Sequence, residues 1–155
     1  MALTLDSNFD SGAIDVVAIN SAAAEVRIRS DLKADGTRSE FAQWFHFRID
    51  GIESAGARVD FTNAGDTTYP AGWKDYRAAA SRDGRRWTRV PTRYDGRTMS
   101  IDLPPAPAMY VAYFEPYSWE RHLALLGRAE ASPLARVTRL GGSVEGRDMR
   151  PARVR

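Results

Sequence analysis

One stretch of the sequence decides the fold, Phe41-Ala42-Gln43-Trp44-Phe45-His46-Phe47-Arg48-Ile49. Its odd-numbered positions carry the apolar side chains Phe41, Phe45, Phe47 and Ile49. Its even-numbered positions carry Trp44, His46 and Arg48. A period of two is typical of a β-strand, because successive side chains point to opposite faces of a sheet. The stretch therefore predicts a strand with one face turned towards an apolar core.

Seven further runs with β character surround this stretch, at residues 24–29, 56–62, 76–81, 86–90, 92–94, 98–103 and 108–114. Turn signals separate them, and Asp83-Gly84 and Asp95-Gly96 favour hairpins because both turn positions tolerate positive φ. The run at 108–114 is largely apolar, which predicts a central strand. Together the runs predict an all-β fold, an antiparallel β-sandwich of about eight strands that occupies residues 1–117.

The pattern changes at Ser118, and residues 118–133 are predicted to form a short helix. Ser118 suits the N-cap position and Glu120 the positive end of the helix dipole. An apolar stripe follows at helical spacing, at Trp119, Leu123 and Leu126. A strand is expected at 134–140. The last residues, 150–155, are too basic and too short to be expected as a strand of a packed sheet.

Composition limits the classes of function. The chain has 155 residues, 43% of them hydrophobic and 27% charged, and it has no cysteine, so disulfides and thiolate metal sites are excluded. Neither a signal peptide nor an apolar run of about 20 residues is visible, so we expect a cytoplasmic protein without a membrane partner. Twenty-two basic residues are offset by twenty acidic ones. Nucleic-acid binding is therefore not expected, and it would require an affinity that falls steeply with salt.

No complete chemical site is visible in the sequence. The two histidines, His46 and His122, belong to no His-x-x-Glu or His-Glu-x-x-His pattern, and nucleophile-elbow and phosphate-loop patterns are absent. His46 is interpreted as a half-buried residue of a sheet. Glu115 and Glu120 could face a common groove, but acids near a helix start are more often cap and dipole partners. We predict no catalytic, cofactor-binding or metal-binding residue in this chain.

Aromatic side chains leave a second hypothesis open. Five of them lie near turns or hairpins: Tyr69, Trp73, Tyr76, Trp87 and Tyr94. Exposed rings can stack on sugars, whereas buried rings would serve the core, which is the favoured interpretation. The alternative function is thus a stand-alone β-sandwich module that binds carbohydrate or another protein.

Two segments carry a resemblance to a known family. The first is Tyr113-Phe114-Glu115-Pro116-Tyr117-Ser118-Trp119, and after the helix comes Leu140-Gly141-Gly142-Ser143-Val144-Glu145-Gly146-Arg147-Asp148-Met149. In this order they resemble the cytosolic carboxypeptidase branch of the zinc carboxypeptidases, bacterial type. In that family a β-sandwich N-terminal domain precedes an α/β hydrolytic domain. The runs at 45–48, 73–76 and 81–87 are also similar to that sandwich.

The resemblance implies a non-catalytic domain. Residues 134–155 would be the start of the hydrolytic domain, and the family's zinc ligands and catalytic Glu all lie downstream of Asp148. This chain would therefore be inactive alone. It would pack on the C-terminal carboxypeptidase domain and shape its cleft. Zinc and the peptide substrate would bind only to the full-length enzyme. That enzyme would hydrolyse C-terminal residues from peptides. Family members continue with an apolar strand where this chain has residues 150–155. We therefore expect a chain that is truncated before its catalytic domain, frameshifted, or a degenerate copy.

The resemblance also implies two groups of site residues. Pro116, Tyr117, Ser118 and Trp119 would form a domain interface or cleft rim with a positional role. The alternative is that Tyr117 and Trp119 only hold the helix on the sandwich. The family junction motif comprises Ser143, Gly146, Arg147 and Asp148.

Overall fold

A computed structural model describes residues 2–143 and 146–154, and it divides into two compact units. The first unit ends at Pro116 and the second begins at Tyr117. The first is built almost entirely of strands, and the second combines one helix with short paired strands.

The first unit is a sandwich of two five-stranded sheets. Its strands are β1 (Thr4–Asp6), β2 (Asp15–Ile19), β3 (Ala23–Arg27), β4 (His46–Ile52), β5 (Ala57–Phe61), β6 (Ala79–Ser81), β7 (Thr88–Arg89), β8 (Thr92–Tyr94), β9 (Met99–Leu103) and β10 (Ala106–Ala112). One sheet has the order β1-β4-β10-β6-β7, and the other has the order β2-β3-β5-β9-β8. Two short 3-10 helices, Ala64–Asp66 and Pro70–Trp73, lie between β5 and β6. The predicted all-β sandwich is confirmed, and β10 lies in the middle of its sheet.

The core lies between the two sheets, where alternate residues of each strand are buried. In β5, Val59 and Phe61 are fully buried, whereas Arg58 is exposed and Asp60 is partly exposed. In β4, Phe47 and Ile49 are fully buried. The ring of Phe45, which immediately precedes β4, lies 4.6 Å from the ring of Phe61 in β5, a strand of the other sheet. Burial of such side chains contributes about 1.5–3 kcal/mol each, so the sandwich has a substantial core of its own.

Both Asp-Gly pairs lie in hairpins, as predicted, but the turns are longer than two residues. Only the glycines adopt positive φ, 68° at Gly84 and 99° at Gly96. Each aspartate instead accepts hydrogen bonds from two backbone N–H groups. Asp83 Oδ1 accepts from Arg85 and Arg86 at 2.9 and 2.8 Å. These bonds lower the pKa of Asp83 to about 2, because they favour the charged carboxylate.

Three details of the sandwich differ from the sequence prediction. The strand expected from residue 41 begins at His46, and Phe41 is 54% exposed. The preceding segment is bound to a neighbouring loop instead, since Tyr69 N donates to Gln43 Oε1 at 3.0 Å. Strands β1 and β2 were not predicted, because β1 is short and β2 is an exposed edge strand without alternation. Finally, β3 and β5 pair in parallel within an otherwise antiparallel sheet.

The second unit contains the helix α1 (Trp119–Glu130), which confirms the predicted helix. After it come β11 (Ala135–Val137), β12 (Gly141–Gly142), β13 (Asp148–Met149) and β14 (Ala152–Val154). Strand β14 pairs with β11, and β13 with β12. Residues 152–154 thus form a strand, but in a two-stranded sheet rather than in a packed one, as expected. Backbone hydrogen bonds do not depend on side-chain character, and all three β14 residues are exposed rather than packed.

The predicted apolar stripe of α1 is only partly buried. Leu126 is 3% exposed, but Leu123 is 43% exposed. Within the described residues, no helix has the length and apolar character that crossing a bilayer requires.

Candidate functional site

The start of α1 holds three of the residues predicted for a cleft rim. Ser118 is the N-cap, and its hydroxyl oxygen accepts a hydrogen bond from Arg121 N at 3.3 Å. Tyr117 is 57% exposed, and the Arg121 guanidinium lies 5.6 Å from the centre of its ring. Trp119 opens the helix, with the His122 ring 5.3 Å away. Pro116 closes the first unit.

Of the junction motif, Ser143, Gly146 and Arg147 lie between β12 and β13, and Asp148 begins β13. Ser143 N donates to Arg147 O at 2.7 Å, and Gly146 N donates to Ser143 O at 2.9 Å. Arg147 N donates to the Ser143 hydroxyl oxygen at 3.1 Å. Gly146 has φ = +79°, which glycine adopts without strain. Val144 and Glu145, between Ser143 and Gly146 in the chain, lie outside the described residues.

A shallow cleft of about 410 Å³ brings the two predicted groups together within the second unit. It is lined by Trp119 from the first group and by Ser143, Arg147 and Asp148 from the second. Pro116, Tyr117, Ser118 and Gly146 do not line it. The Arg147 guanidinium lies 5.5 Å from the centre of the Trp119 ring, and Arg139 Nε donates to Asp148 Oδ1 at 2.7 Å. The polar groups of this cleft thus hold the turn and the aromatic ring in place.

One pair that sequence reasoning missed has the appearance of a nucleophile and its base. Ser11 Oγ lies 2.9 Å from His46 Nδ1, although 35 positions separate them in the chain. Ser11 has φ = +63°, and its carbonyl oxygen accepts a hydrogen bond from Trp44 Nε1 at 2.7 Å. No local sequence motif predicts this pair, because the contact depends on how the loop before β2 packs against β4.

The surroundings of His46 make it a poor base. His46 is 7% exposed, and the rings of Phe9, Trp44, Trp87 and Tyr110 lie within 4.9–6.3 Å of its own. Its Nε2 atom is buried without a hydrogen-bond partner among the described residues. Burial lowers the pKa of His46 from 6.5 to about 4, against an opposing effect of Asp10. A base this weak does not effectively deprotonate a serine hydroxyl. The pair therefore fixes the loop rather than serving catalysis.

The aromatic residues considered for sugar stacking mostly serve the structure. Trp73 is 1% exposed, and its Nε1 donates to Ala64 O and to Thr67 Oγ1 at 3.0 and 2.8 Å. A sugar cannot stack on a ring this deeply buried, so Trp73 serves the core, which is the interpretation that the sequence favoured. Trp87 is half-buried and donates to Gly84 O at 3.3 Å.

The described residues offer no metal centre. Between residues 2 and 143 and between 146 and 154, no group of three or more His, Asp or Glu side chains could hold a metal ion. Of the two carboxylates considered for a common groove, Glu120 lies in the first turn of α1, where it stabilises the helix dipole.

Comparison with known proteins identifies relatives of this fold. A family model described as the cytosolic carboxypeptidase N-terminal domain matches residues 5–114, which is nearly the whole sandwich. An uncharacterised protein of Zymomonas mobilis is 36% identical over 150 residues, which are 96% of this chain and 38% of that protein.

Solved structures give the same result. A metallo-carboxypeptidase from Burkholderia cenocepacia is 49% identical with a TM-score of 0.89, over 97% of this chain and 39% of that one. A metallo-carboxypeptidase from Pseudomonas aeruginosa, in complex with (2-guanidinoethylmercapto)succinic acid, is 39% identical with a TM-score of 0.89. The match covers 98% of this chain and 40% of that one. The chain thus spans about two fifths of the length of these relatives.

We predict that burial of neutral His46 makes the stability of the sandwich depend on pH. The unfolded chain binds a proton at His46 below pH 6.5, whereas the folded chain does so only below about pH 4. The free energy of unfolding should therefore fall as pH drops through this window, by about 2–3 kcal/mol. Urea unfolding of the protein and of a His46→Phe variant measures this effect, because carboxylate contributions cancel in the difference. A difference that is constant from pH 6.5 to 4 would contradict the prediction.

Proposed function

The chain belongs to the family of cytosolic carboxypeptidase N-terminal domains, and from this premise we propose that it is the non-catalytic domain that packs on a zinc carboxypeptidase domain and shapes its cleft. The observation that carries the proposal is the match over residues 5–114, which includes both sheets. The polar groups of the sandwich support it, since Ser11, His46 and Trp73 are all engaged in holding loops.

The exposed side chains of the second unit support the view that it begins a larger domain. Its described leucines other than Leu126 are 43–74% exposed: Leu123, Leu125, Leu134 and Leu140. Val154 is 85% exposed. A unit of roughly 40 residues seldom buries enough apolar surface to fold alone. We therefore assign residues 118–133 to a junction helix and 134–155 to the opening of the hydrolytic domain.

Zinc belongs to that hydrolytic domain in this proposal. The term metallo-carboxypeptidase in the relatives' descriptions implies a metal. The described residues of this chain do not fit one, because their His, Asp and Glu side chains form no cluster of three. We propose that the parent enzyme hydrolyses the C-terminal residue of peptides in the cytoplasm, in line with the family description.

Within the second unit, the surroundings of Tyr117 and Trp119 favour different roles. The Trp119 ring is in contact with Arg147 and His122, so it holds the helix start against the junction turn. The Tyr117 ring is 57% exposed and is available to a neighbouring domain or substrate. We propose that Tyr117 contributes to the cleft rim, with Pro116 and Ser118 fixing its backbone, and that Trp119 is a structural residue.

The proposed function predicts which proteins have peptidase activity. A chimera is made in which residues 1–149 replace the corresponding part of the Burkholderia cenocepacia metallo-carboxypeptidase, 49% identical to this chain. We expect the chimera to release C-terminal amino acids from peptides and to lose this activity on metal chelation. The isolated chain with added zinc should release none.

Two controls accompany this experiment. The hydrolytic part of the relative without any sandwich shows what the sandwich contributes, and circular dichroism shows that each protein is folded. Zinc-dependent release by the isolated chain, or a folded chimera without activity, would contradict the proposed function.

Substitutions in the chimera distinguish the two aromatic residues. Tyr117→Ala should raise KM about fivefold, equivalent to ~1 kcal/mol of binding, and leave the unfolding temperature unchanged. Trp119→Ala should lower the free energy of unfolding by about 1–2 kcal/mol, since it removes the contact with Arg147. The proposal for Tyr117 fails if its variant loses stability as Trp119→Ala does while KM stays constant.

A further inference from the structure

A second cleft, of about 580 Å³, lies on the first unit. Its polar lining comes from β5, β8, β9 and the loops beside them, and includes Arg58, Lys74, Asp75, Arg93, Asp95 and Ser100. This volume is in the range of small-molecule sites. All of its lining residues belong to one compact unit, so the cleft is present in the sandwich itself.

The two arginines of this cleft are fixed and neutralised by neighbours. Arg58 donates from Nε to Asp60 Oδ1 and from a terminal nitrogen to Ser100 Oγ, both at 2.8 Å. Arg93 binds both carboxylate oxygens of Asp102, at 2.6 and 3.2 Å. Each guanidinium therefore keeps spare N–H donors in a fixed position, but adds little net positive charge.

Lys74 and Asp75 differ from these arginines. Neither side chain makes an ion pair or hydrogen bond with any residue that the structure describes, and both line the cleft. Asp75 has φ = +58°, in the left-handed region that Asp and Asn tolerate better than most residues. Two neighbouring charges of opposite sign thus border a cleft whose other basic groups are already paired.

We propose that this cleft binds a small zwitterion, namely a free α-amino acid. Its carboxylate is bound by Lys74 and by the spare donors of Arg58 or Arg93, and its ammonium group is bound by Asp75. A simple anion would be repelled by Asp75 and Asp95, and a simple cation by Lys74. Lys74 and Asp75 are exposed and solvated, so a neutral polyol would gain nothing from either charge. A ligand with both charges complements both side chains.

The source of the amino acid rests on the proposed function. A carboxypeptidase releases one free amino acid in each cycle, so the parent enzyme would expose this cleft to its own product. The binding chemistry itself does not depend on the parent activity, because it follows from the charges of the cleft.

The test is an NMR titration of the ¹⁵N-labelled 155-residue chain with each of the common L-amino acids. We expect saturable shifts of the amides of Thr92–Tyr94 and of Lys74 and Asp75 with at least one of them. The N-acetyl derivative and the methyl ester of that amino acid each lack one charge. Each should bind about three- to fivefold more weakly, as expected for loss of one exposed ion pair.

Two variants assign the charges. Lys74→Gln should shrink the difference in affinity between the amino acid and its methyl ester, since the carboxylate then keeps only the arginine donors. Asp75→Asn should bind the amino acid and its N-acetyl derivative equally, and asparagine keeps the left-handed backbone accessible. The control variant is Lys33→Gln. Lys33 pairs with Glu40 elsewhere on the surface, so this substitution should leave the affinity for the amino acid unchanged.

Three results would overturn the inference. The first is that no amino acid causes a saturable shift. The second is that the unmodified chain binds the N-acetyl derivative and the methyl ester as tightly as the amino acid. The third is that glucose causes the same shifts as the amino acid. If the chimera is active while any of these occurs, only the amino-acid site is wrong and the proposed function stands.

Discussion

Phe45 and Phe61 are in contact across the space between the two sheets, with ring centroids 4.6 Å apart, and the rest of the sandwich is arranged around this contact. Trp73 extends the aromatic core at 6.2 Å from Phe45, and its indole N–H is satisfied by Ala64 O and Thr67 Oγ1. A buried tryptophan needs such an acceptor, because an unpaired N–H inside a core is costly. The packing thereby fixes the irregular segment between β5 and β6 as well as the sheets.

This internal organisation explains why a protein related to peptidases has so little chemistry in its sandwich. Its most suggestive pair, Ser11 and His46, joins a strained loop to β4, and the imidazole is too deeply buried to act as a base near neutral pH. The second unit shows the opposite organisation, since Leu134 and Leu140 remain exposed. A self-sufficient sandwich followed by an apolar, poorly covered segment is what an N-terminal domain joined to a larger domain requires.

Periodicity predicted the sandwich because burial on one face leaves an alternating pattern, as in Val59 and Phe61 of β5. It failed at Phe41, where the alternation continues but hydrogen bonds to the loop at Tyr69 hold the segment outside the sheet. Strand β14 has no apolar pattern in the sequence, because its pairing is through the backbone alone. The contact of Trp119 with Arg147 was equally invisible, since 28 positions separate the two residues and only the folded turn brings them together. Local patterns thus predict elements, whereas loop placement and long-range pairs depend on tertiary packing.

We propose that the first unit, which ends at Pro116, folds independently and that the residues after Pro116 require a larger domain. Native-state hydrogen exchange of the isolated chain tests it most directly, because exchange reports the stability of each segment separately. We predict that the amides of β4 and β10 exchange only with global unfolding, and that those of α1 and β11 exchange with little protection. Protection of α1 and β11 equal to that of β4 and β10 would contradict this account.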